Sequence, residues 1–300
     1  MLKAKKMRID VVSLHKKLEI ILKMLVDTQM ISNYRSVFRG RGLEFEDFRD
    51  YTLGDDSSMI DWKTSARAMK LLIKMFKEER ELDVYILLDT SSSMIFGSTE
   101  KLKMEYAAEV AATFAFMITE AGDRAGLTMF TDKPVKVVPL SVGKKHFQII
   151  MNYLVKPEFY GGDFDLQKIL EFTMSISKKK GLMIIISDFI GLKKGWERAL
   201  KLASVKFDVI GVMVRDPRDE YLPSEDLGQF VLQDPYTDAS LLINPKKISE
   251  EYGKAAKNET AAIRKTFMKC NADLVKLTTE KSFMKPLIEY FIMRRSRTWR

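Results

Sequence analysis

The chain has 300 residues, enough for one large domain or one domain with a smaller companion. It is 46% apolar and 30% charged, an ordinary globular balance, with a net charge of +9. A single cysteine, Cys270, excludes an internal disulfide and a thiolate metal cluster, and two histidines, His15 and His146, lie too far apart in sequence for local zinc spacing. No apolar run reaches the roughly 18 residues of a membrane span. The basic start, Met1 to Lys6, is followed by no secretory-type core, so a cytoplasmic protein is expected. The basic residues are dispersed, as on a solvated surface, apart from a short basic tail over Arg294–Arg300.

Residues 9–30 carry Ile9, Val12, Leu18, Ile21, Leu22 and Leu25 at helical spacing, which predicts an amphipathic helix. Asn33 to Arg67 lacks clean periodicity and mixes Arg, Asp and aromatic residues. It is read as ordered but irregular, with a turn at Leu53-Gly54-Asp55. Its charges would pair internally or face a partner. Residues 68–77 are apolar, either a strand extending the sheet or a lead-in outside it. Val84 to Leu88 is a continuous apolar run, the mark of a strand buried on both faces. A long Ala-rich helix follows over Lys101–Ala121, then a strand at Ala125–Phe130, an edge strand at Pro134–Val138 and a helix at Lys144–Leu154. After a glycine-containing loop come a helix ending at Ser177, a strand at Leu182–Ile186, a helix at Trp196–Ser204 and a strand at Phe207–Val214. Phe230–Leu232 and Leu241–Ile243 read as a small hairpin, and Lys247–Cys270 as a long helix. A last strand at Asp273–Leu277 and a helix at Phe283–Met293 complete the chain. Strands alternating with helices predict an α/β fold: a doubly wound, mostly parallel sheet with helices on both faces, preceded by an N-terminal helical and irregular extension. The expected division is 1–80 for the extension and 81–300 for the α/β domain, with the hairpin inserted near 229–243.

The chemistry gathers where two buried strands end. Asp89, Ser91 and Ser93 follow the first strand, and Ser187-Asp188 closes the one over 182–186. In open α/β sheets ligands bind beyond the carboxyl ends of the strands. Oxygen donors without sulfur or imidazole suit a hard divalent cation. If the two strands are neighbours, Asp89 and Asp188 face each other, and two close carboxylates repel unless a cation lies between them.

Asp89-Thr90-Ser91-Ser92-Ser93 resembles the metal-ion-dependent adhesion site of von Willebrand factor A domains. Upstream, Arg41-Gly42-Leu43-Glu44-Phe45-Glu46-Asp47-Phe48 runs into Gly54-Asp55-Asp56 and Ile60-Asp61-Trp62. Together with Asp216-Pro217-Arg218, these motifs resemble the domain of unknown function fifty-eight, whose members accompany MoxR-type AAA+ ATPases. The resemblance implies a von Willebrand factor A-like fold and Mg²⁺ (or Mn²⁺ or Ca²⁺) held by Asp89, Ser91, Ser93 and Asp188. It also implies an open coordination position for a partner's Asp or Glu. The loop Tyr160-Gly161-Gly162-Asp163-Phe164-Asp165 departs from the family's Gly-Gly-Thr: Phe164 stands at the threonine position, and Asp163 is the candidate replacement ligand. The expected role is a metal-dependent protein–protein interaction module, an adaptor working with a MoxR-type ATPase or its client in assembly or maturation, and not an enzyme.

Two other classes are weighed. Asp89 at a strand end resembles haloacid-dehalogenase-like phosphatases, but position 91 is Ser, so the general acid is missing. A serine nucleophile with His146 as base has no supporting motif, and no P-loop is present. Nucleic-acid binding rests on charge and the Arg-rich tail alone, without a recognisable module.

Overall fold

The computed structural model describes residues 30–38, 44–52, 54–77, 81–223, 228–237 and 239–297. The helix expected over 9–30 lies outside them except at Met30, as do residues 298–300 of the basic tail. A six-stranded sheet has the order β10-β7-β6-β3-β4-β5. Its strands are β3 (Asp83–Asp89), β4 (Arg124–Phe130), β5 (Pro134–Ser141), β6 (Gly181–Ser187), β7 (Phe207–Arg215) and β10 (Asp273–Thr278). All neighbours are parallel except β5, which returns antiparallel on β4 at one edge.

Alternation along β3 divides the interior in two. Val84, Ile86 and Leu88 face a core built with α1 (Met30–Phe38), α3 (Lys103–Ala121), α4 (Gly143–Leu154) and α8 (Met284–Arg297). Tyr85 and Leu87 face a second core built with α5 (Leu166–Ile176), α6 (Trp196–Lys206) and α7 (Pro245–Lys269). Side chains two apart share a face of a strand, so an unbroken apolar run serves both cores. The expected doubly wound sheet is present. The switch point lies at β3, where the chain leaves for β4 on one side and later returns to β6 on the other, with Leu88 opposite Ile186.

The N-terminal region corrects one expectation. The stretch from 33 to 67 is not irregular throughout: β1 (Glu44–Asp50) and α2 (Trp62–Ala68) lie within it. Residues 72–77 form β2 (Leu72–Lys77), which pairs antiparallel with β1 and stays outside the central sheet. Each strand is defined by its partner, which local periodicity does not reveal. The family-signature carboxylates work inside this unit. Asp55 takes both amino groups of Arg49 at 2.7 Å, Asp56 accepts from Ser58 N, and Asp61 caps α2 through Thr64 N. Within the segment assigned to the extension, α1 packs on the α/β domain. Tyr34 is fully buried in the first core and donates to Asp123 at 3.1 Å, and Phe38 meets the edge of Phe291. Arg294, read as part of a basic tail, is a structural residue of α8, paired with Asp273 and Asp208 and lying over the Phe38 ring.

Gly211 in β7 marks a close sheet–helix approach. A Cβ there would lie 2.5 Å from the Phe267 ring and 2.7 Å from Leu274. Gly211→Ala is expected to lower stability by about 1–3 kcal/mol through overpacking, read by urea unfolding. A loss under about 0.5 kcal/mol would show that α7 is free to shift.

Candidate metal and partner-binding site

The loop after β3 is fixed by its alternate residues. Thr90 donates through its amide and its hydroxyl to the Phe130 carbonyl at the end of β4, at 2.8 and 3.0 Å. Ser92 exchanges two bonds with Gly162, its amide donating to the carbonyl and its hydroxyl accepting the Gly162 amide. With positions 90 and 92 tied outward, Asp89, Ser91 and Ser93 converge inward. Asp89 Oδ1 accepts the Ser91 amide at 2.8 Å, and the Ser91 and Ser93 hydroxyls are 3.3 Å apart.

The end of β6 meets this loop. The Ser187 hydroxyl donates to Asp89 Oδ2 at 2.6 Å. Asp188 turns into the crevice because Phe189, buried in the second core, adopts a left-handed conformation with φ 55°. Such backbone is strained for a non-glycine residue and persists only where packing enforces it; here the Phe189 ring lies edge-on to Phe267. Asp188 Oδ1 accepts the Ile190 amide at 2.9 Å, and Oδ2 takes Lys103 Nζ at 2.8 Å. Lys103 also binds both oxygens of Asp219, at 3.1 and 2.9 Å.

Burial, with the neighbouring charge of Asp188, pushes the Asp89 carboxyl up to about 7, against the opposing hydrogen bonds from Ser187 and Ser91. Burial alone would lower the Lys103 ammonium, but Asp188 and Asp219 outweigh it and hold it above its ordinary value. Asp219 is raised by burial despite Lys103. Asp188 and Asp219 thus hold the one ammonium, and Asp89 lies beside Asp188 with no cation paired to it among the described residues, which leaves room for further positive charge.

Asp89, Ser91, Ser93 and Asp188 are brought together as the sequence suggested. Asp163 makes no contact with them among the described residues. Its half-exposed carboxylate pairs with Lys193 and accepts the Phe164 amide. Phe164, at the family's threonine position, is fully buried against Phe130 and supplies no oxygen. Three participants escaped the sequence: Lys103, Asp219 and Tyr236. The Tyr236 hydroxyl donates to Ser93 at 2.9 Å and lies 3.3 Å from Ser91 Oγ and 3.2 Å from the Ile190 carbonyl. Asp219 directly follows the Asp216-Pro217-Arg218 motif and Tyr236 falls between the two hairpin strands, but nothing local marks either as part of this site.

Among the described residues no group of three His, Cys, Asp or Glu side chains has metal-holding spacing. A cation here would rest on a mixed carboxylate–hydroxyl set. The residues fit one: the Ser91 and Ser93 hydroxyl oxygens stand 3.3 Å apart beside the buried Asp89 carboxyl, whose Oδ1 accepts the Ser91 amide. Oxygens around a six-coordinate Mg²⁺ stand about 3 Å apart.

The raised Asp89 gives a pH test. The folded state holds its proton up to about 7, the unfolded chain only to about 4, so rising pH across that window lowers stability. Asp89→Asn lacks this term. In chelator-containing buffer, its stability relative to the unaltered protein is expected to increase from pH 5 to 7.5 and then level off, read by urea unfolding. A difference constant with pH would contradict the burial of an ionisable Asp89.

The family described as "Protein of unknown function DUF58" matches residues 47–262. Rv1480 of Mycobacterium tuberculosis, itself described as an uncharacterized protein, is 27% identical over 282 residues, 93% of this chain and 88% of its own. Among solved structures, the conserved hypothetical protein BatB of Bacteroides thetaiotaomicron is 15% identical with a TM-score of 0.46, covering 72% of this chain and 99% of that one. A von Willebrand factor type A protein of Catenulispora acidiphila is 13% identical with a TM-score of 0.41, covering 75% of this chain and 43% of that one. With most of its length matched by the family model, the chain belongs to the DUF58 family.

Proposed function

We propose that this chain is a metal-dependent protein–protein interaction module. Asp89, Ser91 and Ser93 would hold a divalent cation, Mg²⁺ foremost, with Asp188 supplying charge from the second strand. The observation that carries this is the burial of Asp89 and Asp188 at adjoining strand ends, with a set of neutral hydroxyls aimed into the same crevice. One directly bound carboxylate and two hydroxyls leave a six-coordinate ion with open positions, so the bound cation would offer one to a carboxylate oxygen of a partner's Asp or Glu. The family resemblance supports a MoxR-type AAA+ ATPase or its client as that partner, in assembly or maturation. Among the described residues no helix is long and apolar enough to cross a membrane.

An enzymatic role finds less support. His146 is buried with Nε2 2.7 Å from the Ala125 carbonyl, near the start of β4. The serine loop is tied to Phe130 at the other end of that strand, about 16 Å away at 3.3 Å per residue. This distance argues against a pair between the loop serines and His146.

Calorimetric titration with Mn²⁺ is expected to show one site in the unaltered protein and none in Asp89→Ala. Capture of a purified MoxR-type ATPase should disappear in excess EDTA. Equal Mn²⁺ binding by Asp89→Ala, or capture that survives chelation, would count against the proposal.

A further inference from the structure

The hairpin formed by β8 (Phe230–Gln233) and β9 (Ser240–Ile243) reaches over the serine loop. Of its described side chains from Val231 to Ile243, only Tyr236 and Ile243 are not exposed; Val231, Leu241 and Leu242 lie open to solvent. A two-stranded hairpin has little stability of its own, so what holds it down matters. Tyr236 reaches inward from the turn, which is shaped by Asp234 accepting the amides of Tyr236 and Thr237. Its ring lies so close to Gly191, which has φ 79°, that a Cβ there would sit 2.7 Å from the ring edge. Gly191 thus satisfies two demands at once, a left-handed turn and room for an aromatic ring. Behind the hairpin a cavity of about 580 Å³ is lined by Ser93, Phe96, Lys103, Ile190, Leu222 and Ile243, among others.

We propose that Tyr236 is an internal ligand of the site, a stand-in that occupies the Ser91–Ser93 pair and is displaced when a divalent cation binds. The Tyr236 hydroxyl lies against both serine oxygens, 2.9 Å from Ser93 and 3.3 Å from Ser91, and so fills the position from which a cation would bind the pair; hydroxyl and cation compete for one seat. Cation binding is thereby coupled to release of the hairpin, whose exposed apolar side chains move with it. This inference rests on the cation site proposed above and adds its regulation.

Tyr236→Phe removes the hydroxyl and keeps the ring. Calorimetry with Mn²⁺ on the unaltered protein, Tyr236→Phe and Asp89→Ala tests it. Loss of one net hydrogen bond, about 1 kcal/mol, corresponds to roughly fivefold tighter Mn²⁺ binding by Tyr236→Phe. Equal or weaker binding by Tyr236→Phe, with binding abolished in Asp89→Ala, would overturn the internal ligand and leave the cation site standing. No Mn²⁺ binding by any of the three would overturn both. Should Tyr236→Phe fail to fold, hydrogen exchange on the unaltered protein decides. Faster exchange of the 230–243 amides on adding Mn²⁺ supports displacement, and unchanged or slower exchange overturns it.

Discussion

Asp89 and Asp188 leave adjoining parallel strands at the same edge of the sheet, both fully buried. Like charges brought together away from water are costly, by several kcal/mol per ion after relaxation, unless hydrogen bonds and opposite charge answer them. Much of the local structure is that answer. Asp89 is met by a hydroxyl and an amide, Asp188 by an amide and an ammonium. Ser187 bridges the two strand ends, donating to Asp89 while accepting the Phe189 amide.

Lys103 shows how far the fold goes to balance this charge. It is the first residue of α3 and is 1% exposed, a rare state for lysine. A cation at a helix N-terminus opposes the helix dipole, so the site has no helical reason to choose lysine. Asp188 and Asp219 together supply that reason. Asp219 is in turn placed by a short turn after β7, where Asp216 accepts the Ser98 amide and hydroxyl and so ties that turn to the segment before α3. The crevice is thus built from the ends of three adjacent strands, β7, β6 and β3, and carries more carboxylate than ammonium.

The sequence revealed the parts that depend on runs and abrupt ends. Val84–Leu88 and Leu182–Ile186 are uniformly apolar because each serves two cores, and that uniformity showed directly in the residues. The pairing of Asp89 with Asp188 followed once the two strands were taken as neighbours. Lys103 could not be read this way: in a Lys-rich chain a lysine is expected at the surface, and its burial depends on carboxylates 85 and 116 residues away. Tyr236 looked like a turn residue, and its contact with Ser93 spans 143 positions. Strand β1 was missed because its partner β2 lies across a turn and a helix, and neither strand has the alternation that a core-facing sheet imposes. Asp163 offers a charge in place of threonine, but Lys193 pairs with it, and Phe164 is buried against Phe130.

The central claim is that the oxygens of Asp89, Ser91 and Ser93 converge on a seat for a divalent cation. Anomalous diffraction from crystals soaked in Mn²⁺ at a pH above 7, where Asp89 is ionised, tests it most directly. A single strong peak within bonding distance of Asp89 and the two serine hydroxyls is the expected result. An ordered crystal with no peak in that crevice, or with its only peak on surface carboxylates, would contradict it.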